Sequence, residues 1–240
     1  MIRLPTLAVA AALLAAATPA LAAPACPTDG SNAALLCQAV AASDAQKFAE
    51  AAALFEQAAA ASPAADARTP RMLAAAGNMW IAAGQPTKAA AALDRALADP
   101  KLGADQRGLA LLDRARASEA QNDLPTARRF ADQALTSAGS DPFTWYFSAA
   151  LAVREGNIPA AKNAIDRALA LAPNTSEILF EAGFVANEMG NKDAARSYWQ
   201  KTVAADAGGE VGGAAQRALD ALDKAPAAKA APPATSAGKK

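Results

Sequence analysis

Histidine is absent from the 240 residues, which removes the commonest general base and metal ligand. Serine–histidine and cysteine–histidine mechanisms are excluded with it. Cysteine is limited to Cys26 and Cys37, too few for a four-ligand zinc site without carboxylates. No Gly-rich phosphate loop follows a strand pattern, so no cofactor is expected. Ser236 and Lys239 have the spacing of a serine–lysine pair, but they fall in a tail with nothing to hold them. Neither sign of charge dominates. Lys and Arg number 23 and Asp and Glu 23, which gives no basic face of the kind a nucleic acid requires. Catalysis is not expected.

Long apolar runs are also missing, apart from one at the start. Met1 to Arg3 give a short basic start through Arg3, Leu7 to Ala17 are Ala, Leu and Val, and Ala20-Leu21-Ala22 offers small residues for a signal peptidase. The run is too short for roughly 30 Å of hydrocarbon, and Thr18-Pro19 interrupts it. Residues 1–22 therefore read as a secretory signal cut after Ala22, leaving a mature chain with no transmembrane segment. Cleavage removes one cation, Arg3, leaving 22 basic against 23 acidic side chains. In an oxidising compartment Cys26 and Cys37 most simply form one disulfide, clipping the leading segment (23–31) onto the first helix. The competing reading makes Cys26 the lipid-bearing first residue of a lipoprotein. Ala25 suits that, but Pro24 and Ala23 are poor at the positions before it.

What is present is a repeat. A helix-length stretch with a large residue and a pair of small ones, a turn, and a second stretch built around alanine recur five times. The turn residues Gln46, Gly84, Asn122, Gly156 and Gly190 are spaced by 38 or 34 residues. In the fourth copy Trp145, Ser148, Ala149 and Ala152 recur at helical spacing. Gly156-Asn157 suits a left-handed helix end, and Pro159 suits the first turn of the next helix. The second stretch presents Ala161, Ile165 and Ala168, and Pro173 closes the unit.

This pattern resembles the tetratricopeptide repeat. The first copy has Leu35, Ala39, Ala42, Ala51, Phe55, Ala58 and Pro63. The second has Leu73, Ala76, Gly77, Trp80, Ala89, Leu93 and Ala96, and the fifth Leu179, Ala182, Gly183, Ala186, Ala195 and Trp199. The third keeps Leu111, Ala115, Ala127, Ala131 and Ala134, but has Arg114 where Leu or Ala is usual. Four extra residues separate the early units and are expected to lengthen helices or loops. The resemblance implies an all-α solenoid of five helix pairs over 32–209, divided as 32–65, 70–103, 108–141, 142–175 and 176–209. Gly208-Gly209 and Gly212-Gly213 are expected to break the helix, with a polar-backed capping helix over 210–224 marked by Ala215, Ala218, Leu219 and Leu222. From Ala225 the composition of Ala, Pro and Lys predicts a disordered tail, 225–240.

In proteins that look like this, the first helix of each unit lines a groove in which a partner chain lies. Carried over position by position, the groove residues are Arg71, Asn78 and Ile81, then Leu112, Arg116 and Glu119. The fourth unit adds Phe143, Tyr146 and Arg154, and the fifth Phe180, Phe184, Asn187 and Glu188. Four aromatics in the last two units stand out where aromatics are only 5% of residues, and aromatics and Arg tend to dominate binding energy. The arginines could receive a carboxylate. The expectation is a non-catalytic scaffold binding a protein or peptide in the periplasm, an assembly or chaperone-like adaptor. The alternatives are a membrane-tethered structural subunit and a hydrolase using two carboxylates, such as Glu119 and Glu188.

Overall fold

A computed structural model describes residues 26–224. The expected signal (1–22) and tail (225–240) lie outside the described residues. Eleven helices occupy the described residues in five antiparallel pairs and a final helix. The first helices of the pairs are α1 (Asn32–Asp44), α3 (Thr69–Ala82), α5 (Ala104–Ala120), α7 (Pro142–Arg154) and α9 (Ser176–Glu188). The second helices are α2 (Phe48–Ala61), α4 (Pro86–Ala98), α6 (Leu124–Ala138), α8 (Ile158–Leu171) and α10 (Lys192–Ala205), and α11 (Glu210–Lys224) closes the stack. Each helix packs on the next in sequence, and α3 on α5, α7 on α9 and α9 on α11 also meet directly. The result is an all-α solenoid of helix pairs.

The turn within every pair is the same object. Gln46, Gly84, Asn122, Gly156 and Gly190 all have positive φ, from 58° to 77°. In each case the N–H of the following residue returns to a carbonyl five positions back: Lys47 to Ala42, Gln85 to Trp80, Asp123 to Ser118, Asn157 to Ala152, and Asn191 to Ala186, at 2.8 to 3.0 Å. This left-handed closure satisfies carbonyls that the ending helix would otherwise leave unpaired. The next helix starts immediately. Asp123, Asn157 and Asn191 accept the N–H groups of Thr126, Ala160 and Ala194, and prolines occupy the first turn of α4, α6 and α8, where no donor is lost.

Packing follows from small residues at the crossings. Ala39, Ala51, Ala76, Ala89, Ala115, Ala127, Ala149, Ala161 and Ala195 are wholly buried. At three crossings even a methyl is too much: a Cβ on Gly77 would lie 2.9 Å from Leu93 Cδ2, one on Gly108 2.8 Å from Ala138 Cβ, and one on Gly183 2.5 Å from Trp199 Cδ1. The core forms four successive clusters along the stack rather than one, as neighbour-only packing demands.

The irregular third unit has a physical account. Arg114 lies 4.7 Å over the Phe130 ring and donates to Asp94 and to Ser118 Oγ, so its charge is satisfied while its stem fills the apolar site. The extra residues before this unit, 104–107, form the first turn of α5 and lengthen it to 17 residues. One expectation is corrected. Gly212 and Gly213 do not break the helix but sit in the first turn of α11. The Asp206 carbonyl occupies the place of a Gly212 side chain, and the Asp206 carboxylate accepts the Gly212 N–H at 2.8 Å. At the other end Cys26 is disulfide-bonded to Cys37 on α1, with Cα atoms 5.6 Å apart, and the Gln38 amide donates to the Pro27 carbonyl. No described helix is long and apolar enough to cross a membrane.

Candidate functional site

The faces left uncovered on α1, α3, α5, α7 and α9 form one wall. On α3 the buried side carries Met72, Leu73, Ala76 and Trp80, so Arg71 and Asn78 point away from it. On α7 Thr144, Ser148 and Leu151 are buried, leaving Phe143 and Arg154 exposed. On α9 Ile178, Ala182 and Val185 are buried, and Glu177, Glu181, Phe184 and Glu188 form a stripe at helical spacing on the open side.

The wall has three zones. At its N-terminal end Val40, Arg71, Ala75, Asn78, Leu109 and Asp113 line a recess of about 410 Å³ across α1, α3 and α5. Asn78 Nδ2 and Arg116 Nη1 donate to the two Asp113 oxygens at 2.9 and 3.0 Å. Burial nevertheless holds the Asp113 carboxyl above the ordinary range, against those bonds. At the C-terminal end Phe180, Phe184, Asn187, Trp199 and Leu222 line a second recess of about 410 Å³ between α9, α10 and α11. Between them lies an aromatic and acidic zone. Phe143 and Tyr146 meet edge to face, centroids 6.3 Å apart. Burial raises the Tyr146 hydroxyl, and Glu181 and Glu177 add to the shift. Burial alone lifts the Glu181 carboxyl to about 7.

Among the residues predicted for this wall, the structure groups Arg71 with Asn78, Phe143 with Tyr146, and Phe180 with Phe184 and Asn187. Glu188 is exposed on the α9 stripe. Two placements need correcting. Leu112 is 9% exposed and packs with Leu111, Ala115 and Phe130 in the core, so it cannot meet a partner. Its neighbour Asp113 holds the wall position. Ile81 is half-buried against the core around α3 and α4. Phe180 is also half-buried, packed toward α10 and α11, and its carbonyl accepts Trp199 Nε1 at 3.2 Å.

Two of the three predicted arginines are differently disposed from what was expected. Arg116 is paired with Asp113, and Arg154 is paired with Glu119 and donates to Asn122 at 3.2 Å. Glu119 is thereby committed to an ion pair, and it lies on α5 while Glu188 lies on α9. Val40, Leu109, Asp113, Glu177 and Glu181 were missed. The spacing of Glu177, Glu181, Phe184 and Glu188 is the signal that would have found the α9 stripe.

No family model matches the sequence, and no curated protein is similar to it. Solved structures are similar. One is PilW, described as a widely conserved type IV pilus biogenesis factor, at 19% identity and a TM-score of 0.66, covering 78% of this chain and 83% of that one. PilF of Pseudomonas aeruginosa gives 18% and 0.64, with 79% and 82% covered. YrrB, a TPR protein described as having an unusual peptide-binding site, gives 14% and 0.55, with 79% and 94% covered. At such identities the likeness establishes the fold: stacked helix pairs of the tetratricopeptide type.

Proposed function

We propose that this chain is a non-catalytic scaffold of the cell envelope that holds a protein or peptide segment along the wall of first helices. The observation that carries this reading is the placement of exposed apolar side chains. Val40 and Leu109 (each 52% exposed), Phe143 (46%) and Phe184 (40%) sit on α1, α5, α7 and α9, all on the uncovered face. Large exposed apolar residues aligned on one face mark an interaction surface, whereas scattered ones need no explanation. Repeat stacks of this kind present extended surfaces of that sort.

The envelope location rests on the basic start, the apolar run and the small residues ending at Ala22. The likeness to PilW, described as a type IV pilus biogenesis factor, supports the same compartment. The bond from Cys26 to Cys37 takes up the sulfur that a lipid anchor would use, and favours the untethered form over a lipoprotein subunit. The reading is tested by immobilising the full chain and a Phe143→Ser, Phe184→Ser double variant, then capturing from envelope extracts. Both side chains are exposed, so the variant keeps the fold. Equal recovery of the same proteins by both would refute the wall as the binding surface.

A further inference from the structure

The wall's charges are unevenly committed, and the imbalance identifies the partner's chemistry. Around the α7–α9 zone there are two cations, Arg116 and Arg154, and each is engaged by a carboxylate of α5. On α9 Glu177, Glu181 and Glu188 lie on the open stripe. Glu177 accepts only the hydroxyl of its neighbour Ser176. Glu181 makes no ion pair or hydrogen bond among the described residues. A carboxylate that is partly desolvated and unpaired is destabilised in the free protein, and a cation brought beside it relieves that state. Glu181 and Glu177 lie close enough to Tyr146 to bear on its hydroxyl, so the carboxylates stand beside an aromatic ring with Phe143 against its edge. Phe184 continues the same stripe, 40% exposed. Carboxylates flanked by aromatic faces receive an ammonium or guanidinium by ion pairing and cation–π attraction together.

Resting on the scaffold reading, we infer that the α7–α9 zone is the specificity-determining part of the wall and takes an extended segment bearing lysine or arginine, its cation seated between Tyr146 and Glu181 and an apolar neighbour against Phe184. This is the opposite of a wall whose arginines receive a partner's carboxylate. Charge complementarity decides it, because Arg116 and Arg154 are paired within the chain while the α9 glutamates are not. Four charged groups bear on the Tyr146 hydroxyl: Glu181 and Glu177 from α9, and Arg116 and Glu119 from α5. Of these, Glu181 is the one brought to about 7. It must be ionised to hold the cation, so affinity weakens as the medium is acidified below that value.

The test uses the full chain and two fluorescein-labelled peptides of about twelve residues, alternating Leu with Lys and Arg, or Leu with Glu. Fluorescence anisotropy should show the cationic peptide binding, with affinity falling as salt is raised. Glu181→Gln, which is isosteric, should weaken it about five- to tenfold, the effect of losing a partly buried charge pair. From pH 8 to pH 6 the parent should weaken about three- to fivefold and Glu181→Gln should lose most of that dependence. Preference for the acidic peptide, lost in the Phe143→Ser, Phe184→Ser variant, would overturn the cationic assignment and leave the scaffold reading standing. Cationic binding indifferent to both Glu181→Gln and Phe184→Ser would overturn the site. Binding seen only after deletion of residues 225–240, which carry Lys229, Lys239 and Lys240, would make the chain's own segment the occupant and overturn a separate partner. Binding of neither peptide would also overturn it, and the scaffold reading would then stand or fall on capture alone.

Discussion

Replacing Gly183 by alanine adds one methyl at the tightest crossing of the last helix pair. The new Cβ would lie 2.5 Å from Trp199 Cδ1 and 2.9 Å from Cε2. Carbon atoms in contact prefer about 3.5–4.0 Å, so the indole must retreat by about an ångström. It has little room, being 4% exposed, and retreat stretches the Nε1 bond to the Phe180 carbonyl, now 3.2 Å. Overpacking of this kind costs about 1–3 kcal/mol, and a weakened hydrogen bond adds about 0.5–1.5 kcal/mol. Against this, alanine is favoured over glycine inside a helix by about 1 kcal/mol. The net expectation is destabilisation by about 1–3 kcal/mol, or a Tm lower by about 2–12 °C for a chain of this length. Gly213→Ala is the control. The nearest atom to its Cβ is Arg217 Nη1 at 3.6 Å, so only the helix preference remains, and the variant should gain about 0.5–1 kcal/mol. Urea unfolding followed by tryptophan fluorescence and far-UV circular dichroism measures both. If Gly183→Ala proves as stable as the parent, the close-approach account of the α9–α10 crossing is wrong.

Burial lifts Glu181 from 4.5 to about 7, so between those values the folded protein keeps a proton that the unfolded chain has released, and stability falls as pH rises through that window. Glu181→Gln should match the parent below pH 4.5 and exceed it above pH 7; parallel urea midpoints across the range would refute this. Asp113→Ala strips the partner from Asn78 and Arg116 and should cost about 1–3 kcal/mol. Asp113→Asn should cost less, and a thermal melt ranking them the other way would contradict the account. Cys37→Ser opens the loop closed by the disulfide, which stabilises by about 3 kcal/mol in the chain-entropy picture. Because units couple only to neighbours, hydrogen exchange should rise in α1 and α2 and stay unchanged in α9 to α11.

The turns were legible because a left-handed backbone admits few residue types. Gly, Asn and Gln recurring along the chain found the positive-φ residue in the turn of all five helix pairs. The alanine and glycine crossings were legible for a similar reason, since each position tolerates only the smallest side chains. The register of α5 was harder to read. Leu112 falls on the buried side and Asp113 on the open face, one position further on. Gly212 shows the same difficulty in another form. A glycine pair suggests a break in sequence, but here glycine is required by the Asp206 backbone pressed against the start of α11.

The wall's charge state was hidden because it depends on bonds between units. Asn78 reaches Asp113 and Arg154 reaches Glu119, each across 35 residues, about one repeat. Residues that far apart meet only because equivalent positions of successive first helices are neighbours in the stack. Polar side chains on α3, α5 and the end of α7 are therefore engaged in joining units. The α7–α9 seam is closed differently, by Tyr146 packed with the apolar cluster of Ile178, Ala182 and Val185. Its carboxylates are released from structural work by that apolar closure. In a stack where each seam is stabilised locally, one seam can change its surface chemistry without disturbing the others. The α7–α9 seam is the place where aromatic exposure and unpaired charge coincide, so partner discrimination belongs there, and the two flanking recesses supply apolar area to a segment already chosen by its charge.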